Sequence, residues 1–83
     1  VPRELMKTEQ VSIPNRFASV IIGPRGTKIS HIRQTSNAII RIDDETDDQT
    51  DRIITIQGTS AQIEHARELL RTTVKESGLW TEN

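Results

Sequence analysis

The chain has 83 residues, no cysteine and a formal net charge of −1, and hydrophobic residues make up 33% of it. This length suits one small domain with a modest core, and without cysteine neither a disulfide framework nor a thiolate metal site is possible. No run of the sequence approaches the roughly 20 apolar residues of a membrane span, so we expect no membrane partner.

Three elements are predicted in the first half of the chain. The alternating pattern of residues 8–13 indicates a strand, and apolar residues at helical spacing over 15–22 indicate a helix of two turns. The sequence Gly-Pro-Arg-Gly at 23–26 then interrupts the pattern. A second helix follows over 27–36, and Asn37 is a suitable C-cap because asparagine tolerates the left-handed conformation that closes a helix.

The second half predicts two strands and a longer helix. Residues 38–43 and 52–58 indicate strands, and the acidic segment 44–51 between them indicates a solvated loop. The strand at 52–58 is nearly apolar on both faces, which is typical of a central strand. Thr59 and Gln62 form a capping box that begins the last helix. The apolar stripe of that helix is Ile63, Ala66, Leu70 and Val74.

The order β-α-α-β-β-α predicts an α+β fold. The strands at 38–43 and 52–58 can pair as an antiparallel hairpin, and the strand at 8–13 can add to the free side of 52–58. This arrangement leaves the strand at 38–43 on an edge. One face of the three-stranded antiparallel sheet then carries all three helices.

The charges are segregated along the chain. No acidic residue lies between Glu9 and Asp43, whereas six acidic residues lie within 43–51. The basic residues of the first block are Arg16, Arg25, Lys28, Arg33 and Arg41. This block has the field of an anion-binding surface, although ordinary solvated charge would also account for it.

The glycine pair at 23 and 26 has a physical use at a corner between helices. Glycines let the backbone turn tightly and let another backbone approach closely. The turn also presents the N-terminus of the second helix, whose free N–H groups and dipole favour anions, and Arg25 and Lys28 add full charges. The pattern is compatible with a phosphate site, although Gly-x-x-Gly in isolation is more typical of a structural turn between helices.

With this loop placed between two helices and in a zone without acids, the sequence resembles the type I K-homology (KH) domain. The segments VSIPNRFASVIIGPRGTKISHIRQTS and DRIITIQGTSAQIEHARELLRTTVK are most similar to the poly(C)-binding and heterogeneous nuclear ribonucleoprotein K group, and nearest to its third KH repeat. The resemblance implies one KH domain at 8–77 with flanking tails at 1–7 and 78–83. It also implies a partner of C-rich single-stranded RNA or DNA, no cofactor, and a place in the nucleus or cytoplasm.

The sequence departs from the family pattern at three positions. The loop is usually Gly-Lys-Gly-Gly, and the Pro24 found here removes one N–H donor. The Gly-Pro-Arg-Gly form also occurs in the STAR and branch-point-binding branch of KH proteins, so it should not disable binding. Asn37 replaces the usual glycine after the second helix, and Val20 replaces a common serine.

The resemblance implies a groove between the helix–loop–helix side and the edge strand. Its apolar floor would be formed by Val20, Ile22, Ile29 and Ile42, although isoleucines in a small domain are commonly core residues. Arg33 and Arg52 would read cytosine edges, and Arg41 would meet phosphate. The whole predicted set is Ser19, Val20, Ile22, Gly23, Pro24, Arg25, Gly26, Lys28, Ile29, Arg33, Arg41, Ile42 and Arg52. The alternative for the arginines is a surface salt bridge, for instance between Arg52 and Asp51 or Asp44.

Other functions fit the sequence less well. Phe17 and Trp80 are the only aromatic residues, which disfavours modules that stack bases on aromatic platforms. We expect no enzyme and no catalytic or metal site, since Gly26 is not followed by the lysine of a nucleotide-binding loop and the acidic run lacks the glycine and glutamate of a calcium loop. The remaining alternative is a protein-interaction module that pairs through residues 8–13 and 60–75. Trp80 is interpreted as part of a tail, either docked on the last helix or exposed.

Overall fold

A computed structural model describes residues 5–78. Residues 1–4 and 79–83 lie outside the described part, and with them most of the predicted tails and Trp80. The described elements are β1 (Lys7–Pro14), α1 (Asn15–Ile22), a 3₁₀ turn (Pro24–Gly26), α2 (Thr27–Ser36), β2 (Ile39–Ile42), β3 (Asp51–Gly58) and α3 (Ser60–Glu76). The predicted order is confirmed, and each predicted boundary is met to within one residue. β1 begins at Lys7, inside the segment predicted as a tail.

The three strands form one antiparallel sheet in the order β1-β3-β2. The apolar strand β3 is central, as predicted, because it pairs with β1 on one side and with β2 on the other. Ile13 of β1 lies opposite Arg52, and Ile42 of β2 lies opposite Ile54. Since side chains alternate along a strand, Ile13, Ile42, Arg52 and Ile54 all share one sheet face.

That face carries the three helices and the core. On this face the sheet contributes the buried side chains of Ile40, Ile54 and Ile56. The helices contribute Ile21, Ile29, Ile32, Ile63, Ala66, Leu70 and Val74 to the same cluster. Every residue of the predicted α3 stripe is therefore buried, because the 3.6-residue repeat holds that stripe against the sheet.

The other sheet face is open, as expected of a sheet that carries its three helices on one face, although β3 carries apolar side chains on both faces. Ile53 and Ile39 point away from the helices and are 40% and 58% exposed. Their neighbours on the open face are polar, and Gln10 and Thr55 are joined by a hydrogen bond of 3.3 Å. The apolar sequence of β3 reflects its central position, but the three helices are enough to cover only one face.

The predicted helix ends are present. Asn37 has φ 60° and ψ 11°, the left-handed conformation expected of the C-cap of α2. At the start of α3 both halves of the capping box are made: Gln62 N donates to Thr59 Oγ1 over 3.2 Å, and Thr59 N donates to Gln62 Oε1 over 2.9 Å. These local bonds satisfy N–H groups that the helix itself cannot pair.

Two further observations concern residues 5–78. No helix among them is both long enough and apolar enough to cross a membrane. The same residues contain no group of three or more histidine, cysteine, aspartate or glutamate side chains placed to hold a metal ion.

Candidate nucleic-acid interface

The loop between α1 and α2 requires glycine at its first position. Gly23 has φ 72° and ψ 177°, a region that is populated almost only by glycine. A Cβ atom at Gly23 would also lie 2.7 Å from Lys28 Cγ, which is too close for any real contact. Both the backbone conformation and the packing of α2 therefore depend on this glycine.

The rest of the loop is a tight turn with two further left-handed residues. Gly26 has φ 72° and ψ 19°, and Arg25 has φ 57° and ψ 24°. The turn is closed by hydrogen bonds from Gly26 N to Gly23 O at 3.2 Å and from Thr27 Oγ1 to Pro24 O at 2.9 Å. The exposed Arg25 side chain stands where the family loop usually has glycine, and its backbone carries a strain of about 1 kcal/mol.

The loop leads directly into the N-terminus of α2, which begins at Thr27 with no acidic residue in its first turn. Free N–H groups, the positive end of the helix dipole and Arg25 thus meet at one exposed corner. Lys28 lies on a different flank of α2 from Arg33: its stem packs on Gly23, and with His31 it borders the cleft between α2 and α3. The charge of Lys28 therefore reaches the loop from its α3 side.

The predicted floor combines one core residue with three half-buried residues. Ile29 is 4% exposed and belongs to the core, whereas Ile22 and Ile42 are half-buried and pack on that core from outside. Ile22 and Ile42 are thus the aliphatic surface that remains accessible. Val20 is also half-buried, but it is not among the residues that pack on the core. It precedes Ile22 by two residues and so points in a different direction from the helix, and its place in the floor stays a prediction.

Arg33 connects α2 to the edge strand. Its Nε atom donates to Ile40 O over 3.0 Å. Asp43 N donates to Ile53 O, and because bonding alternates along an antiparallel pair, the N–H and C=O groups of Ile40 and Ile42 point to the free edge. The Arg33 side chain therefore bonds to one carbonyl of the free edge, that of Ile40. The N–H and C=O groups of Ile42 beside it remain available for a ligand.

Arg52 lies on the helix-covered sheet face and is half-buried. Its Nε atom donates to Asn15 Oδ1 at the start of α1 over 3.2 Å. The alternative interpretation, a salt bridge with Asp51 or Asp44, is not found. Within residues 5–78 the ion pairs are Arg67–Glu9 and Arg71–Glu68, and neither includes Arg33 or Arg52.

The two remaining predicted site residues differ in their placement. Ser19 is exposed on the flank of α1 that also carries Asn15, and its Oγ donates to Asn15 O over 3.2 Å. Arg41 lies opposite Thr55 on the open sheet face, so the structure separates it from the loop and the floor. Asn15 was missed by sequence reasoning. The available signal was its position four residues before Ser19, on one helix face.

Comparison with known proteins agrees with this geometry. Residues 8–72 match the profile of the KH domain family. The first KH type I domain of human vigilin is 25% identical, with a TM-score of 0.76, over 100% of this chain and 87% of that one. The fourteenth KH type I domain of human vigilin is 24% identical with a TM-score of 0.73, over 100% and 86%. Repeat 6 of vigilin is 26% identical with a TM-score of 0.66, over 82% and 94%.

The chain therefore belongs to the KH domain family and has the type I KH fold. KH domains are generally nucleic-acid-binding modules rather than enzymes, and their Gly-x-x-Gly loop clamps the backbone of a short single strand. A nucleic-acid partner follows from this membership.

Proposed function

We propose that this domain, spanning residues 8–77, binds short C-rich or pyrimidine-rich single strands of RNA or DNA. The strand would lie in the groove between the Gly23–Gly26 loop, the flanks of α1 and α2, and the edge strand β2. Its nearest functional counterparts would be the domains of the poly(C)-binding and heterogeneous nuclear ribonucleoprotein K group. Such a protein would act in the nucleus or the cytoplasm.

The observation that carries this proposal is the bonding of the two arginines. Arg33 and Arg52 are each held through Nε by a neutral oxygen, at 3.0 Å and 3.2 Å. Neither forms an ion pair with another residue in the range 5–78. Each guanidinium group is thus oriented by a hydrogen bond while its terminal nitrogens remain able to donate to a base.

The chemistry of cytosine matches this arrangement. Cytosine offers two adjacent acceptors, O2 and N3, whereas N3 of uracil and thymine carries a hydrogen. The half-buried aliphatic side chains of Ile22 and Ile42 supply apolar contact for a base face. A narrow floor of branched side chains favours the smaller pyrimidine ring over a purine.

The proposal is tested by titrating the domain with short C-rich, U-rich and A-rich strands while amide chemical shifts are followed. We expect shifts at the loop, on α2 and along β2, with the tightest binding for the C-rich strand. Equal affinity for all three strands would contradict the base preference, and an absence of shifts in the groove would contradict the site.

A variant of the loop tests the phosphate contact. Replacing Pro24 and Arg25 with aspartates should abolish binding, because two carboxylates would face the phosphates. The fold should survive, since aspartate is among the residues that tolerate the left-handed conformation found at position 25. A folded double variant that still binds with unchanged affinity would remove the loop from the mechanism.

A second candidate function is pairing with another KH domain through residues 8–13 and 60–75. An apolar cleft of about 280 Å³ lies between β1, α1 and α3, with Val11 and Leu70 in its lining. Val11 is 40% exposed, and β1 is an edge strand with unpaired backbone groups. Sedimentation equilibrium checks this function: pairing predicts a concentration-dependent mass that Val11→Lys abolishes, and a constant monomer mass contradicts it.

A further inference from the structure

The Asn15 side chain joins three parts of the domain that are distant in sequence. Its Oδ1 accepts from Arg52 Nε over 3.2 Å, and its Nδ2 donates to Gln49 O over 3.1 Å. Its backbone N–H donates to Thr50 O over 2.9 Å. The first residue of α1 thus holds both the end of the acidic loop and the start of the central strand.

The orientation of the Asn15 amide is determined by its partners. The Nε–H group of an arginine can only donate, and a backbone carbonyl can only accept. The oxygen of the amide must therefore face Arg52, and its nitrogen must face Gln49. No other arrangement of this side chain satisfies both neighbours.

We infer that Asn15 is the positioning residue for base recognition by Arg52, an assignment that rests on the proposed function. Arg52 is half-buried and has no ion-pair partner among residues 5–78. Within that range, the Arg52 side chain donates a hydrogen bond to Asn15 Oδ1. The neutral amide of asparagine orients the guanidinium group and leaves its positive charge uncompensated. A carboxylate at the same position would neutralise that charge.

The test compares Asn15→Ala with Arg52→Ala and the double variant. The quantity measured is the ratio of affinities for a C-rich and a U-rich single strand. We expect Asn15→Ala to reduce this ratio about three- to tenfold, the ordering cost of one rotamer-rich side chain. In the Arg52→Ala background the same change should leave the ratio unaltered, since Asn15 acts through Arg52. An equal reduction in both backgrounds would overturn the inference.

Two further variants separate positioning from general structure. Asn15→Asp keeps the acceptor for Arg52 but loses the donor to Gln49 O. It should therefore retain the affinity ratio, while binding to both strands weakens through the added charge and the lost loop contact. Thr46→Ala removes the bond of 3.3 Å from Thr46 Oγ1 to Gln49 Oε1, which orders the acidic loop without touching Arg52, and should leave the ratio unchanged. A loss of the ratio in Thr46→Ala equal to that in Asn15→Ala would assign the effect to the loop and overturn the inference.

A measurement on the free protein separates this inference from the proposed function. The Arg52 Nε–H proton should exchange slowly with solvent in the wild type and in Asn15→Asp, and faster in Asn15→Ala. If the wild type fails to prefer cytosine, the proposed function fails, while slow exchange would still support the placement of Arg52 by Asn15. Exchange unaltered by Asn15→Ala would overturn that placement whatever the binding result.

Discussion

At the scale of single residues, the arginines of the predicted site have different surroundings although they look alike in the sequence. Arg33 and Arg52 are tied to neutral oxygens on the helix side of the sheet, whereas Arg41 lies on the open face. A planar guanidinium held through Nε presents a defined pair of donors, which lysine could not do. Base reading is therefore expected of Arg33 and Arg52 alone.

Arg33→Ala and Arg52→Ala should each lower affinity for C-rich strands and reduce the difference between C-rich and U-rich strands by roughly 1–3 kcal/mol. The reason is the loss of guanidinium donors that cytosine O2 and N3 can accept. Arg41→Ala is the matched control, because it removes the same charge from the open face. It should weaken both strands slightly and equally, as measured by fluorescence anisotropy. A cytosine preference that persists in either test variant would contradict the assignment.

The two loop glycines should respond differently to alanine. At Gly23 the added Cβ would lie 2.7 Å from Lys28 Cγ, whereas at Gly26 the nearest atom, Ile29 Cγ2, is 3.9 Å away. Gly23→Ala should lower the free energy of unfolding by about 2–3 kcal/mol, and Gly26→Ala by about 1–2 kcal/mol from left-handed strain alone. Urea unfolding measures both changes, and a Gly26 variant less stable than the Gly23 variant would contradict this order.

At the scale of elements, the helices are specified at their ends as well as by their apolar faces. Asn37 closes α2 in a left-handed conformation, and Thr59 with Gln62 opens α3. Each of these two caps is formed by residues that lie within four positions of each other in the sequence. The end of α2 and the start of α3 are therefore set by local chemistry, and Arg33 lies in the last turn of α2 beside β2.

Thr59→Ala should lower the free energy of unfolding by about 1 kcal/mol, because it removes the acceptor for Gln62 N. Affinity for C-rich strands should not change, since Thr59 follows the opposite end of β3 from Arg52. Thr72→Ala serves as control, because Thr72 is an exposed position inside α3 where alanine is the better helix former. Thermal unfolding compares the two, and equal stabilities would show that the capping box contributes nothing.

At the scale of the whole molecule, the net charge of −1 conceals an uneven distribution. Five basic residues and no acidic one lie between Glu9 and Asp43, and the acids of 43–51 follow. Within residues 5–78 the acidic loop forms no ion pair with the groove arginines. The segregation of charge along the chain is thus hidden by the net value, although it decides which surfaces attract anions.

The affinity for a C-rich strand should fall with salt at a slope near −2 in a plot of log affinity against log salt. This value follows if about three phosphates are neutralised, at ~0.7 per phosphate for single strands. A titration from low to physiological salt measures the slope, and a value near zero would mean that the basic block is incidental. Since one groove reads about four nucleotides, high affinity in a parent protein would come from domains in tandem.

Much of the fold could be predicted from the sequence because its determinants are local or periodic. The strand alternation, the apolar stripe of α3, the asparagine cap and the capping box all depend on residues a few positions apart. The glycine loop was also predictable, since its chemistry lies within four residues.

The arrangement of the site depended on contacts between distant segments. Arg52 and Asn15 are 37 positions apart, and no local pattern shows that one orients the other. The bond from Arg33 Nε to Ile40 O likewise joins α2 to the edge strand of the assembled sheet. Tertiary packing decides these contacts. The direction of a side chain follows from its own helix or strand, whereas the residue that it meets across the groove depends on how the sheet and helices are assembled.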